Sequence, residues 1–177
     1  IPGKFFNILK NNINTTSQML INLSDNHIDV TENKTTIITR IIKESFPDFN
    51  SVIPEKQENK AEVSSQELIE AIKRVSIFSN KTTKQIILSF QHNELIISTE
   101  DKETKSSAKE HIPCEFGGDS KIIAYNAQYL KEVVQHINNS ETNIFLGGEL
   151  TAAVFQPKQQ KEKTELTSLL MPLRTQN

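Results

Sequence analysis

The chain gives one secondary-structure pattern three times, and an internal repeat limits the folds open to it more than any single motif does. The pattern is strand, helix, then three strands, given twice in full and once without its opening strand. The incomplete copy begins "IPGKFFNILKNNI", where Pro2 suits a helix start. Phe5, Ile8, Leu9 and Asn12 share one helical face, and Lys4, Asn7, Lys10 and Asn11 the other. "QMLINLSD" and "NHIDVTEN" read as strands meeting at Asp25-Asn26, with "TTIITRIIKE" as a third.

The second copy opens with the strand "KAEV". Ser64 to Glu67 form a capping box that starts the helix "QELIEAIKRVSIFS". Leu68, Ala71, Ile72, Val75 and Ser79 face inward; Glu70, Lys73, Arg74 and Ile77 face outward. "KQIILSF" and "ELIISTE" form a hairpin around His92-Asn93, and "TKSSAKEHIP" is a weaker third strand. The third copy has strand "KIIAYN", then helix "AQYLKEVVQHI" with Leu130, Val133, Val134 and Ile137 inward. Strands "TNIFLG" and "LTAAVFQP" follow around Gly147-Gly148, then the polar loop "QPKQQKEKTE" and a last strand "LTSLLMPLR". Two copies make a natural α+β domain, helices side by side with sheets behind. The expected organisation is 1–45 as half of one domain, 46–58 as a connection, and 59–177 as a complete domain. The connection contains "FPDFNSVIP", whose two prolines stiffen it, exclude helix and make it a poor central strand.

Composition excludes several classes. Hydrophobic residues are 36% and charged residues 24% of 177, enough for a core. The net charge is −2 with signs mixed throughout, so no basic tail is present, although a local basic face remains compatible. A single cysteine, Cys114, rules out an internal disulfide framework and a Cys-based zinc site, and fits a reducing compartment. No apolar run approaches the roughly 20 residues of a membrane span. The chain starts at Ile1 without Met and reads as a fragment or processed product. The sequons at Asn14, Asn22, Asn33, Asn80 and Asn138 are what an Asn- and Thr-rich chain contains by chance.

Catalytic chemistry finds no constellation. His27, His92, His111 and His136 lie far apart along the chain without ligand spacing. The proximity of Cys114 to His111 in sequence does not make a catalytic pair, because such pairs are set by the fold. Neither Gly117-Gly118 nor Gly147-Gly148 carries the Lys-Ser/Thr of a phosphate loop. No metal, cofactor or catalytic residue is expected.

The aromatic-Pro-Asp-aromatic segment followed by Val-Ile-Pro, together with the ending "SLLMPLR" and the repeat between them, resembles the bacterial DNA polymerase III sliding clamp, the beta clamp. The resemblance covers essentially the whole chain, as the second half of the middle clamp domain and the complete C-terminal domain. It implies a DNA-clamp fold of β-α-β-β-β units, helices on the inner, DNA side and sheets outside. It further implies a head-to-tail homodimeric ring around duplex DNA, not an enzyme. The implied partners are the DNA polymerase III alpha subunit, the clamp loader, and other clamp-binding proteins of repair and ligation. The implied location is the bacterial cytoplasm, at the nucleoid during replication, with no membrane.

By motif position, the resemblance assigns a partner-peptide pocket to Pro47 and Val52 of the junction and to Leu169, Leu170, Met171, Pro172, Leu173 and Arg174 of the tail. Asn126 and Tyr129 would flank it. A preformed apolar cleft with an adaptable Met suits peptides anchored by Leu or Phe. Lys4, Lys10, Lys73, Arg74, Lys81, Lys84 and Lys131 would face DNA, since phosphate contact requires Lys or Arg and no base-reading geometry. Glu70 and Glu132 dilute that charge. Phe49 stands where the family often has Tyr and Ser51 where it often has Arg, and Thr175 to Asn177 extend beyond the usual end. The pocket's remaining wall and the domain that closes the ring would lie outside this sequence. An α+β enzyme whose active-site half lies upstream, or a binding-only adaptor, remain as alternatives from the residues alone.

Overall fold

Local sequence signals place the elements, and long-range strand pairing decides how they join. The computed structural model describes residues 1–12, 18–46, 48–54, 59–148 and 150–174, and divides into two units, Ile1–Pro47 and Asp48–Asn177. In the first unit, helix α1 (Gly3–Asn12) precedes strands β1 (Leu20–Leu23), β2 (His27–Glu32) and β3 (Thr35–Arg40), an antiparallel sheet in that order. Phe5 and Val30 are buried, whereas β1 is exposed along its whole length. Asn33 takes the left-handed conformation (φ 51°) that the tight β2–β3 turn requires.

The second unit begins with a short 3-10 helix, Phe49–Val52. This corrects the expectation that the proline-bounded segment contains no helix. Asp48 caps it, accepting from the Asn50 amide at 3.1 Å, while the Ser51 hydroxyl donates to the Asp48 carbonyl at 2.7 Å. The segment cannot sustain an α-helix, but one tight turn needs only a single i→i+3 bond, which Ile53 N–H supplies to Asn50.

Two full repeats follow. The first is β4 (Asn59–Ser64), α2 (Ser65–Ser76), β5 (Gln85–Gln91), β6 (Glu94–Asp101) and β7 (Ser106–Pro113). After the two-residue strand β8 (Glu115–Phe116) comes the second: β9 (Lys121–Asn126), α3 (Ala127–Ile137), β10 (Glu141–Leu146), β11 (Ala153–Pro157) and β12 (Ser168–Leu170). Ser64 caps α2 by accepting from the Glu67 amide at 3.3 Å, as the capping box predicts. Leu68, Ala71, Ile72 and Val75 are buried, the stripe read from the sequence. On α3 the same holds for Leu130, Val134 and Ile137.

The repeats exchange their opening strands. One sheet runs β12-β11-β10-β4-β8, three strands of the second repeat joined to the opening strand of the first. The other runs β7-β6-β5-β9, with the roles reversed. The joins are equivalent on both sides: the Ser65 amide donates to the Ser140 carbonyl (2.9 Å), and the Ala127 amide to the Lys84 carbonyl (2.8 Å). One core therefore spans both sheets and helices, and a buried Ser65–Thr142 hydroxyl pair at 2.7 Å ties the repeats together. Strand β7, which looks weak in isolation, pairs along all eight residues with β6, because cross-strand contacts outweigh local propensity. β8 was not anticipated; two residues carry no periodicity to read.

The Tyr125 hydroxyl is buried and finds no partner among the described residues, and burial raises its pKa above the ordinary phenol value. Tyr125→Phe is expected to raise stability by about 1 kcal/mol in urea unfolding, because it removes an unpaired buried donor while keeping the ring. A loss of stability would mean the hydroxyl is paired in solution.

Candidate peptide-docking and nucleic-acid surfaces

The C-terminal segment leaves one sheet and joins the other. β12 pairs with β11 (Leu170 opposite Ala153), on the edge of the five-stranded sheet. Pro172 has no N–H to continue a ladder. The Leu173 amide then donates to the Ala124 carbonyl at 2.8 Å, on the free edge of β9. The tail thus bridges the edges of both sheets and comes to lie beside the start of α3.

Strand alternation sorts the tail residues assigned to a pocket. Leu170 turns into the core; Leu169, Pro172 and Leu173 are half-buried; Arg174 is exposed. Met171 is 61% exposed. Tyr129, on the first turn of α3, is 58% exposed, and Ile122, which the sequence reading did not single out, is 70% exposed on β9. Ile122 lies on the same strand face as Ala124, whose carbonyl the tail bonds at the edge of β9. In "KIIAYN" nothing local distinguishes the outward Ile122 from the buried Ile123. Asn126 is fully engaged: its side-chain oxygen accepts from the Gln128 and Tyr129 amides (3.0 and 3.3 Å), and its Nδ2 donates to the Thr83 carbonyl (3.1 Å). Val52 lies half-exposed on the 3-10 turn, and Pro47 falls outside the described residues.

The basic residues divide into two kinds. Lys73, Lys81, Lys84 and Lys131 line one cleft of about 470 Å³, formed by the end of α2, residues 77–84 and the start of α3. Lys84 adopts φ 49° and donates from Nζ to Gln128 Oε1 at 2.8 Å. Arg74 points elsewhere. Its Nε donates to Glu110 Oε2 at 3.1 Å, its Nη2 pairs with Glu110 Oε1, and Glu70 lies 3.8 Å from its Nη1. Hydrogen bonding to Arg74 holds the Glu110 carboxyl below the usual carboxylate range. Lys4 and Lys10 are exposed on α1, in the other unit. Glu132 is taken up by Gln128 Nε2 at 3.2 Å.

The remaining reactive groups serve structure. Burial pushes the Cys114 thiol up to about 11, so it is not a nucleophile at neutral pH. His111 pairs with Glu94 at 2.8 Å, and His136 Nδ1 donates to the Glu132 carbonyl at 2.7 Å. Among the described residues no group of His, Cys, Asp and Glu is arranged to hold a metal, and no helix is long and apolar enough to cross a membrane.

Residues 50–174 match the family model for the DNA polymerase III beta subunit, C-terminal domain. The Beta sliding clamp of Treponema pallidum is 25% identical over 99% of this chain and 47% of its own length; that of Borreliella burgdorferi is 27% identical over 98% and 44%. The chain spans about half the length of these curated relatives. A Bartonella birtlesii DnaN sliding clamp, solved bound to griselimycin, shares the fold with a TM-score of 0.85 at 23% identity over 99% of this chain and 46% of that one. The Borrelia burgdorferi beta subunit, solved with a natural product, gives 0.81 at 25% identity over 98% and 46%. With its exchanged-strand repeats and a family match covering the whole of its larger unit apart from the ends, the chain belongs to the DNA polymerase III beta subunit family, the bacterial sliding clamps.

Proposed function

We propose that this chain works as part of a ring that encircles duplex DNA and tethers replication and repair proteins to it, with no catalysis of its own. Residues 1–45 would be the second half of a middle clamp domain and 59–177 the C-terminal domain, joined by 46–58. Two parent chains would close head to tail. The polymerase III alpha subunit, the clamp loader and other partners would each insert a short apolar peptide against Val52, Tyr129 and the tail, in a bacterial cytoplasm.

The observation that carries the peptide reading is the path of the tail. It fixes Leu173 by a backbone bond to β9 while leaving Met171, a large and adaptable apolar side chain, in water. An exposed thioether on a pinned strand end, with Tyr129 exposed on the first turn of α3, is a ready anchor site for Leu or Phe. Leu170 belongs to the core and Asn126 to the helix cap, so the reading assigns the contact to Leu169, Met171, Pro172, Leu173 and Arg174.

The test is a fluorescence-anisotropy titration of a labelled Gln-x-x-Leu-Phe peptide against the ring-forming parent protein. Met171→Ala is expected to weaken binding about tenfold, or ~1.4 kcal/mol, without lowering the melting temperature. Equal binding by both proteins would remove Met171 from the site; no binding by the wild type would remove the site.

A further inference from the structure

We propose that the Asp48–Asn177 unit carries a second copy of the groove beside its tail, and that Glu67, Pro113 and Glu115 keep this copy shut to apolar peptides. The inference rests on the docking reading above and concerns how many peptides one chain takes. The copy follows from the equivalence of the two repeats. Glu141 stands opposite Ser64 as Gln85 stands opposite Asn126, so Ser64 and Asn126 hold matching places before α2 and α3. Two residues earlier, Glu62 of β4 matches Ala124 of β9. β8 lies along β4 with Glu115 opposite Glu62, and the tail meets β9 with Leu173 opposite Ala124. Counting back from each contact, Ile112 and Leu170 match, and both are buried. Ile112-Pro113-Cys114-Glu115 therefore crosses from the four-stranded sheet to the five-stranded one, as Leu170-Met171-Pro172-Leu173 crosses the other way. The first crossing borders a cleft of about 350 Å³ beside the start of α2.

What differs is the lining. Where the tail presents Met171 and Leu173, the copy has Pro113 and Glu115. Tyr129, whose amide donates to the cap Asn126, is matched by Glu67, whose amide donates to the cap Ser64. Glu67 and Glu115 are exposed, and among the described residues neither is ion-paired. Ala124 is matched by Glu62, whose carboxyl is held below the usual carboxylate range by its hydrogen bond to Lys158. A Leu or Phe entering here strips water from unpaired carboxylates and offers them no partner, which opposes the apolar contact. Pro113 sets a rigid ring of short reach where the tail has a flexible thioether. The backbone of the groove is thus present twice, and its apolar chemistry once.

Calorimetric titration of the ring-forming parent protein with a Gln-x-x-Leu-Phe peptide counts the sites. The wild type is expected to bind one peptide per chain. The triple variant Glu67→Tyr, Pro113→Met, Glu115→Leu is expected to bind two, and its three positions are exposed, so the core is left intact. Met171→Ala on that background is expected to weaken one of the two sites about tenfold and to leave the other as it was. Glu67→Tyr with Glu115→Leu, which keeps the Pro113 ring, is expected to show a second equivalent as well and stands in for the triple variant should that one unfold. A folded variant that still binds one peptide overturns the proposal. So does a wild type that binds two, because the carboxylates then close nothing. Unfolding of both variants would make these side chains structural and overturn it too. A wild type that binds no peptide sinks the docking reading itself.

Discussion

Phe155→Ala is expected to destabilise the Asp48–Asn177 unit by about 3–5 kcal/mol, seen as a lower denaturant midpoint at unchanged m-value. Phe155 is fully buried on β11, and its ring meets Tyr125 edge to face, centroids 6.5 Å apart and planes at 76°. The two residues belong to different sheets, so the ring is a wedge between them. Each sheet is held by its own ladder and cannot easily collapse into the space an alanine would leave. Phe155→Leu keeps most of the volume and is expected to cost only about 1–2 kcal/mol. Equal losses from the two variants would show that the ring does not act as a spacer.

Asn126→Ala is expected to cost about 2 kcal/mol in thermal unfolding. The side chain satisfies two amides of the first turn of α3 and also ties that turn to the Thr83 carbonyl. Asn126→Asp keeps the acceptor and adds a negative charge beside the positive end of the helix dipole, while losing the bond to Thr83, so about half the loss should return. The family resemblance alone would place Asn126 at the rim of a peptide site. If stability holds while peptide affinity falls, that reading is right and the capping role is secondary.

The sequence carried the local signals well. Ser64 before Glu67, the stripes of α2 and α3, and the β5–β6 turn at His92-Asn93, where Asn93 sits at φ 61°, are short-range chemistry and appear as read. Less was legible where pairing is long-range. The third strand expected to run to residue 44 stops at Arg40, and the last one is Ser168–Leu170 with a separate bridge at Leu173. Leu170 looked like pocket wall because a motif does not say which face of a strand is inward. Arg74 and Lys73 looked equivalent because helical periodicity cannot see Glu110, which arrives from a strand 36 residues later. The convergence of Lys73 with Lys131 has the same origin: it exists only because the two repeats share one core.

The exchange of opening strands also bears on how the chain is made. Ser65, at the join of β4 and α2, meets Thr142 of β10 across 77 residues. At a synthesis rate of 5–20 residues per second, β4 waits roughly 4–15 seconds for the strand beside which it will lie. Through that interval the nascent segment carries apolar Ala61 and Val63, and the backbone groups on its β10 side have no ladder to enter. Lys60 and Glu62 alternate with them, and such charges discourage pairing with a neighbouring chain on the same polysome. Once the chain has passed β11, Glu62 gains Lys158, and the charges that guarded the waiting strand become part of its closure.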